Sequence, residues 1–168
     1  MSMGSATNPL PAGTPTRPLL ERFEIAGCDT LPKLFWQRVS EFGAKTAMRE
    51  KHLGIWRAIS WREYGENARA VGLGLVALGL RRGDVISVMS ENSKEWLYTD
   101  LGVQCAGGIT SGIYPTDSAR QLAYLVNDSA SRFLFVEDEE QLDKYLELRA
   151  QMPTVEKVIV YALEGLRD

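Results

Sequence analysis

The chain has a single histidine, two cysteines and no long apolar run, and each scarcity closes off a class of function. His52 falls in Lys51-His52-Leu53-Gly54, which has the composition of a turn, so it reads as a solvated turn residue. A mechanism built on a histidine base therefore finds no support. Cys28 and Cys105 stand far apart, without metal-ligand spacing around them, and both read as free thiols of a reducing compartment. The longest apolar run, 70–80, is flanked by Arg69 and Arg81. It is too short for a bilayer core, which needs about 20 residues. Cationic excess is also missing: 19 Lys and Arg face 22 Asp and Glu, for a net charge of -3, with no clustered basic stripe. No nucleic acid is expected as a partner. The start lacks the basic segment and apolar core of a secretory signal. A cytoplasmic chain is expected, with peripheral association at a membrane surface left open.

What is present is an ordinary globular composition, 45% hydrophobic and 24% charged over 168 residues. A domain of that length can bury roughly 70% of the surface its unfolded chain exposes, so no disulfide or metal staple is required. Residues 1–29 hold Pro9, Pro11, Pro15 and Pro18 among small and polar residues, and read as a disordered, Pro-rich lead-in. Ordered structure is expected over 30–168. Leu31–Phe42 reads as a helix with Leu34, Phe35, Val39 and Phe42 on one side and Gly43 as its stop. Residues 46–49 and 55–60 read as a hairpin about a turn at 52–54. The longest helix is expected over 61–80, where Tyr64, Ala68, Val71, Leu75 and Leu78 draw one apolar stripe.

From Val85 onward strands and helices alternate. The apolar run Val85–Met89 reads as a buried strand, followed by a helix in which Asn92 and Glu95 have the form of a capping box. Leu97, Leu101 and Cys105 recur at helical spacing until Gly107-Gly108. A second strand follows over 109–114. Ser118 with Gln121 opens the next helix, carrying Leu122, Leu125 and Val126, and Phe133–Val136 is a third strand. Residues 137–140 make an acidic first turn suited to a helix N-terminus, with Leu142, Tyr145 and Leu146 as the buried side. Pro153 ends that segment, and 155–161 is the fourth strand. Val85, Ile109, Phe133 and Val158 lie 24, 24 and 25 residues apart. Such spacing suits β-α-β units, hence parallel strands and right-handed crossovers. The carboxyl ends of the strands then share one edge, where open α/β sheets bind ligands. That singles out the loops 90–92, 114–117 and 137–138.

Two glycine patterns imitate nucleotide motifs. Gly72, Gly74 and Gly79 depart from the dinucleotide fingerprint and fall in a helical stretch where the fingerprint should follow a strand, so close helix packing is the better reading. Gly107 and Gly112 have the spacing of a phosphate loop. Ile113-Tyr114 stands where lysine and a hydroxyl residue must be, and the motif is rejected.

Several short motifs occur in one order: Thr30-Leu31-Pro32, Gly54-Ile55-Trp56, Ser60-Trp61-Arg62-Glu63-Tyr64, Leu78-Gly79-Leu80-Arg81-Arg82-Gly83-Asp84, Ser90-Glu91-Asn92 with Glu95-Trp96, Gly112-Ile113-Tyr114-Pro115-Thr116 and Phe135-Val136-Glu137-Asp138. Together they resemble the adenylate-forming acyl-CoA ligases, and within them the long-chain fatty-acid-CoA ligases, from Thr30 to about Leu163. The resemblance implies part of the large N-terminal domain of that fold, an α/β region of three layers. It would comprise a mainly parallel sheet of four β-α-β linked strands, with an N-terminal helix and a β-hairpin beside it. It implies an intact enzyme that uses ATP and magnesium to convert a fatty acid to an acyl-adenylate, then passes the acyl group to coenzyme A.

The family's phosphate loop with its lysine is expected soon after the fourth strand, and the adenine, magnesium and hinge motifs later. These residues stop before all of them. No catalytic residue and no metal ligand is therefore assigned within 1–168, and no cofactor is expected to bind this stretch tightly. By resemblance, Tyr114 and Thr116, with Arg120 standing in for a basic residue, lie near the coenzyme A phosphates. Taken alone the 168 residues are expected to be inactive and to self-associate through uncovered apolar surface. A stand-alone binding module and one half of a split ligase are the rival readings.

Overall fold

The computed structural model describes residues 25–164. Of the lead-in expected over 1–29, residues 1–24 lie outside the described residues. Ile25 and Cys28 close a tight turn by exchanging backbone hydrogen bonds of 3.0 and 2.9 Å. Helix α1 (Leu31–Phe42) begins where Thr30 Oγ1 accepts the Lys33 N–H at 3.4 Å, and Gly43 stops it at φ 44°. A hairpin of β1 (Thr46–His52) and β2 (Ile55–Ser60) follows. Leu53 and Gly54, at φ 48° and 82°, make its two-residue turn. Because the turn takes only two residues, β1 runs beyond the expected 46–49, and Glu50, Lys51 and His52 pair with Arg57, Trp56 and Ile55.

Helix α2 (Trp61–Ala77) is capped by Ser60 Oγ, which accepts the Glu63 N–H at 3.1 Å. It ends short of the expected residue 80. Gly79 adopts φ 93°, and the Leu80 and Gly79 amides donate back to Leu75 O and Val76 O at 2.9 and 3.0 Å. This closure turns Leu80 into the core beside Leu75 and leaves Leu78, expected on the buried stripe, exposed. The glycines of α2 have different roles. A Cβ on Gly72 would stand 2.8 Å from Gly102 O in α3 (Lys94–Cys105), so the two helices touch backbone to backbone there. Gly74 meets nothing within 4 Å, and Gly79 is the turn residue; close packing holds for Gly72 alone of the three.

Strands β3 (Val85–Met89), β4 (Ile109–Ile113), β5 (Phe133–Val136) and β6 (Lys157–Val160) form one parallel sheet in the order β4-β3-β5-β6. Ile86, Val88, Phe133 and Phe135 meet Leu75, Leu80 and Val103 on one face. On the other, Met89, Ile113, Leu134 and Val136 meet Leu122 and Val126 of α4 (Ala119–Asp128), with α5 (Glu139–Leu148) packed alongside. Helices on both faces bury the two central strands, β3 and β5, almost throughout, which is why these read as apolar runs, whereas the edge strands β4 and β6 stay partly exposed. Ser87 is a buried exception, its Oγ 2.7 Å from Ser131 Oγ, which lies 2.8 Å from Ser129 Oγ. A third cluster of Phe35, Tyr64, Ala68, Tyr98 and Leu101 seats α1 against α2 and α3. Burial there pushes the Tyr64 phenol up to about 12.

Four local expectations are corrected. The cap of α3 is Ser93, whose Oγ accepts the Trp96 N–H at 3.1 Å, in place of Asn92. This helix is pressed by α1 and α2 on one side and the sheet on another. It buries Tyr98, Thr99, Leu101, Gly102 and Val103, while Leu97 and Cys105 of the expected stripe are exposed. In α5 the neighbouring α4 selects the face carrying Gln141, Leu142 and Tyr145, and Leu146 points away, exposed. The final strand is confined to Lys157–Val160, the four residues that find partners in β5.

Candidate functional site

The chain enters the sheet at β3, adds β4 on one side and then crosses back to place β5 on the other. The loops leaving β3 therefore diverge from their neighbours at the carboxyl edge, the position at which such sheets open a crevice. Two hollows lie there. The wider, 880 Å³, is lined by residues 48–52 of the hairpin, residues 92–97 at the start of α3, and Glu137. The narrower, 280 Å³, is lined by Ser90, Glu91, Asn92, Trp96 and residues 112–115.

A few side chains hold this edge in shape. The Glu91 N–H donates to Glu137 Oε2 at 2.7 Å, and the Glu137 N–H donates to Met89 O at 3.1 Å, clipping the loop after β3 to the loop after β5. Lys94 donates to Glu50 Oε2 at 2.5 Å and lies 3.3 Å from Glu95 Oε1, which ties the hairpin to the first turn of α3. The hydrogen bond from Lys94 holds the Glu50 carboxyl below the usual carboxylate range and, reciprocally, raises the Lys94 ammonium. Across the edge, Lys144 of α5 donates to Pro115 O at 2.5 Å and pairs with Glu140 at 3.1 Å. Ser118 and Gln121, expected to open α4, do so as a capping box.

The loops 90–92 and 114–115 come together on the narrower hollow, and Glu137 faces the wider one. Tyr114 is 77% exposed and lines the narrower hollow. Thr116, in the same loop, and Arg120, in the first turn of α4, are exposed outside its lining. They offer one hydroxyl and one cation. His52 closes β1 at the margin of the wider hollow and is exposed. Reasoning from sequence placed Glu137 in a helical first turn; it missed the Glu137 clip and the Lys94–Glu50 and Lys144–Pro115 links. Each joins residues 29 to 46 positions apart, and no local spacing signals them.

The donor set also bears on the groups the resemblance implies. Among the described residues, no group of three or more His, Cys, Asp or Glu side chains is gathered to hold a metal ion. The stretch resembling a phosphate loop is spent on β4, with Gly112 in ordinary contact distance of Trp96 at 3.6 Å from its ideal Cβ. These residues do not fit a magnesium or a nucleoside triphosphate phosphate site. What the edge can supply is binding surface and positioned loops.

The family model described as AMP-binding enzyme matches residues 35–168. A long-chain-fatty-acid–CoA ligase of Xenopus laevis is 33% identical over 132 residues, 79% of this chain and 18% of that protein. Among solved structures, an anthranilate CoA ligase in complex with anthranoyl-AMP superposes with a TM-score of 0.71 at 25% identity, over 77% of this chain and 24% of that one. A putative long-chain-fatty-acid CoA ligase from Rhodopseudomonas palustris shares the fold, with a TM-score of 0.70 at 20% identity over 79% of this chain and 33% of that one. The chain thus spans about a fifth of the length of the curated relatives it matches.

Proposed function

Since the chain belongs to the AMP-binding enzyme family, we propose that it forms the N-terminal sheet region of a long-chain fatty-acid-CoA ligase. The observation that carries this reading is the match, at 33% identity, to a segment of a protein bearing that activity in its name. The complete enzyme would activate a fatty acid with ATP and magnesium to an acyl-adenylate and transfer the acyl group to coenzyme A. ATP and magnesium would be held by residues outside 25–164, in keeping with the donor set described above. Within this chain the β4–α4 loop would face coenzyme A, with Tyr114, Thr116 and Arg120 as its contacts and Lys144 fixing the loop through Pro115 O. The three residues would bind and orient; none of them would move a proton or form a bond.

Fatty-acid-dependent pyrophosphate exchange tests the reading. Residues 1–168 alone are expected to give none. The same residues joined to whatever the gene encodes in frame after Asp168 are expected to give exchange with long-chain acids. Exchange by 1–168 alone would overturn the assignment of the chemistry to other residues. A downstream frame without a lysine-bearing phosphate loop would overturn the ligase reading in favour of a separate module or a split enzyme.

A further inference from the structure

Every residue from 51 to 58, the distal half of the β1–β2 hairpin, is exposed. Leu53 is 88%, Ile55 69% and Trp56 64% accessible. Leu53 occupies a left-handed position, φ 48°, where Asn, Asp or Gly is favoured and a bulky aliphatic residue is not. Turn chemistry does not ask for a leucine there, and none of the described core clusters receives it. Lys51 and Arg57 flank the apolar tip, Arg49 lies just behind, and residues 51–58 contain no carboxylate. The nearest acid, Glu50, is engaged by Lys94. On a chain whose net charge is -3, this hairpin is a local cationic exception.

An apolar tip with an indole, ringed by cations, is complementary to a bilayer surface bearing anionic headgroups: the tip enters the interface and the cations meet phosphate and carboxylate. A second copy is a poorer occupant, because joining two tips would press Lys51 and Arg57 of one against those of the other. No described helix is long and apolar enough to cross a membrane, so the contact would be confined to the surface. We propose that the hairpin docks this protein on anionic lipid membranes, with Leu53, Ile55 and Trp56 entering the headgroup layer. The proposal needs no ligase activity, but it requires that the hairpin stay exposed in the complete protein.

Co-sedimentation of the full chain with phosphatidylcholine vesicles, with and without phosphatidylserine, tests it. Binding to the anionic vesicles is expected, falling with added salt and about tenfold weaker on neutral ones. The double variant Leu53→Asn, Trp56→Thr should bind about tenfold or more weakly with an unchanged circular dichroism spectrum, since asparagine suits the turn and both sites are exposed. Brominated lipid should quench a fluorescence component that Trp56→Phe removes, leaving that of Trp36, Trp61 and Trp96. Three results would each overturn the proposal: no binding to anionic vesicles, binding that the double variant leaves intact, or a lipid-free dimer that the double variant dissociates.

Discussion

The two edges of the parallel sheet are built from the same strands and loops of similar length, yet one is closed and the other open. At the amino edge, Arg132 donates through Nε and Nη2 to both Glu156 carboxylate oxygens at 2.8 Å, and through Nη1 to Asp84 and, at 3.2 Å, to Gly79 O. Asp84 also accepts the Arg81 N–H at 2.6 Å. One guanidinium thus joins the end of α2 and the entrances to β3, β5 and β6. The hydrogen bonds from Arg132 hold the Glu156 carboxyl below its ordinary range, and Glu156 first and then Asp84 raise the guanidinium. At the carboxyl edge Lys94 reaches the hairpin and Lys144 a loop carbonyl, each at 2.5 Å, and hollows of 880 and 280 Å³ remain. Charge joins elements at both edges, but only at the carboxyl edge do hollows remain beside the joined loops. A sheet can therefore be locked at one end and keep a binding surface at the other.

Both edges rest on the core between them, and removing part of that core should harm both. Leu75, 2% exposed against Ile86, Val88 and Phe133, is the point at which to do so. Leu75→Ala should cost about 2–5 kcal/mol in urea unfolding, and a change under roughly 0.5 kcal/mol, the surface range, would show that this helix face is misplaced. Next in size, Arg132→Met should lower Tm more than Lys94→Met does, because it leaves Asp84 and Glu156 without their shared partner. Equal or reversed shifts in a thermal melt would erase the distinction between the edges.

The smallest effect belongs to Lys94–Glu50. The folded-state pKa of Glu50 is depressed, so its contribution is present above the unfolded carboxylate value near 4.5 and is lost as pH falls through the lower folded value. The pair is partly solvated, and the acid-labile term should amount to about 0.2–1 kcal/mol. Wild type and Lys94→Met should therefore differ in stability at neutral pH and converge in acid. A difference that persists below the folded value would mean the pair does not carry it.

Much of this architecture was legible in short-range pattern. The four strands, the opening of α4 by Ser118 and Gln121, the existence of the hairpin and the start of α1 depend on hydrophobic period and on side chains that bond their own backbone a few residues away. The three loops at the carboxyl edge followed from parallel pairing alone. The contents of that edge did not follow, because Glu137 with Glu91 and Lys94 with Glu50 become neighbours only when β5 is laid beside β3 and the hairpin against α3.

By itself the sequence determined the order and type of the elements, the parallel sheet and the family resemblance, all of which depend on local periodicity and on motifs in linear order. Tertiary structure alone decided which apolar residues are inside. Leu78 and Leu146 lie on stripes that look continuous in sequence, yet Leu78 is excluded when Gly79 reverses the chain and Leu146 when α4 occupies a different face of α5. The backbone contact of Gly72 with Gly102 and the three-way clasp of Arg132 likewise arise from packing. Hydrophobic period says that a side chain can be buried, but only a neighbouring element, fixed by contacts far away in the chain, supplies the surface that buries it.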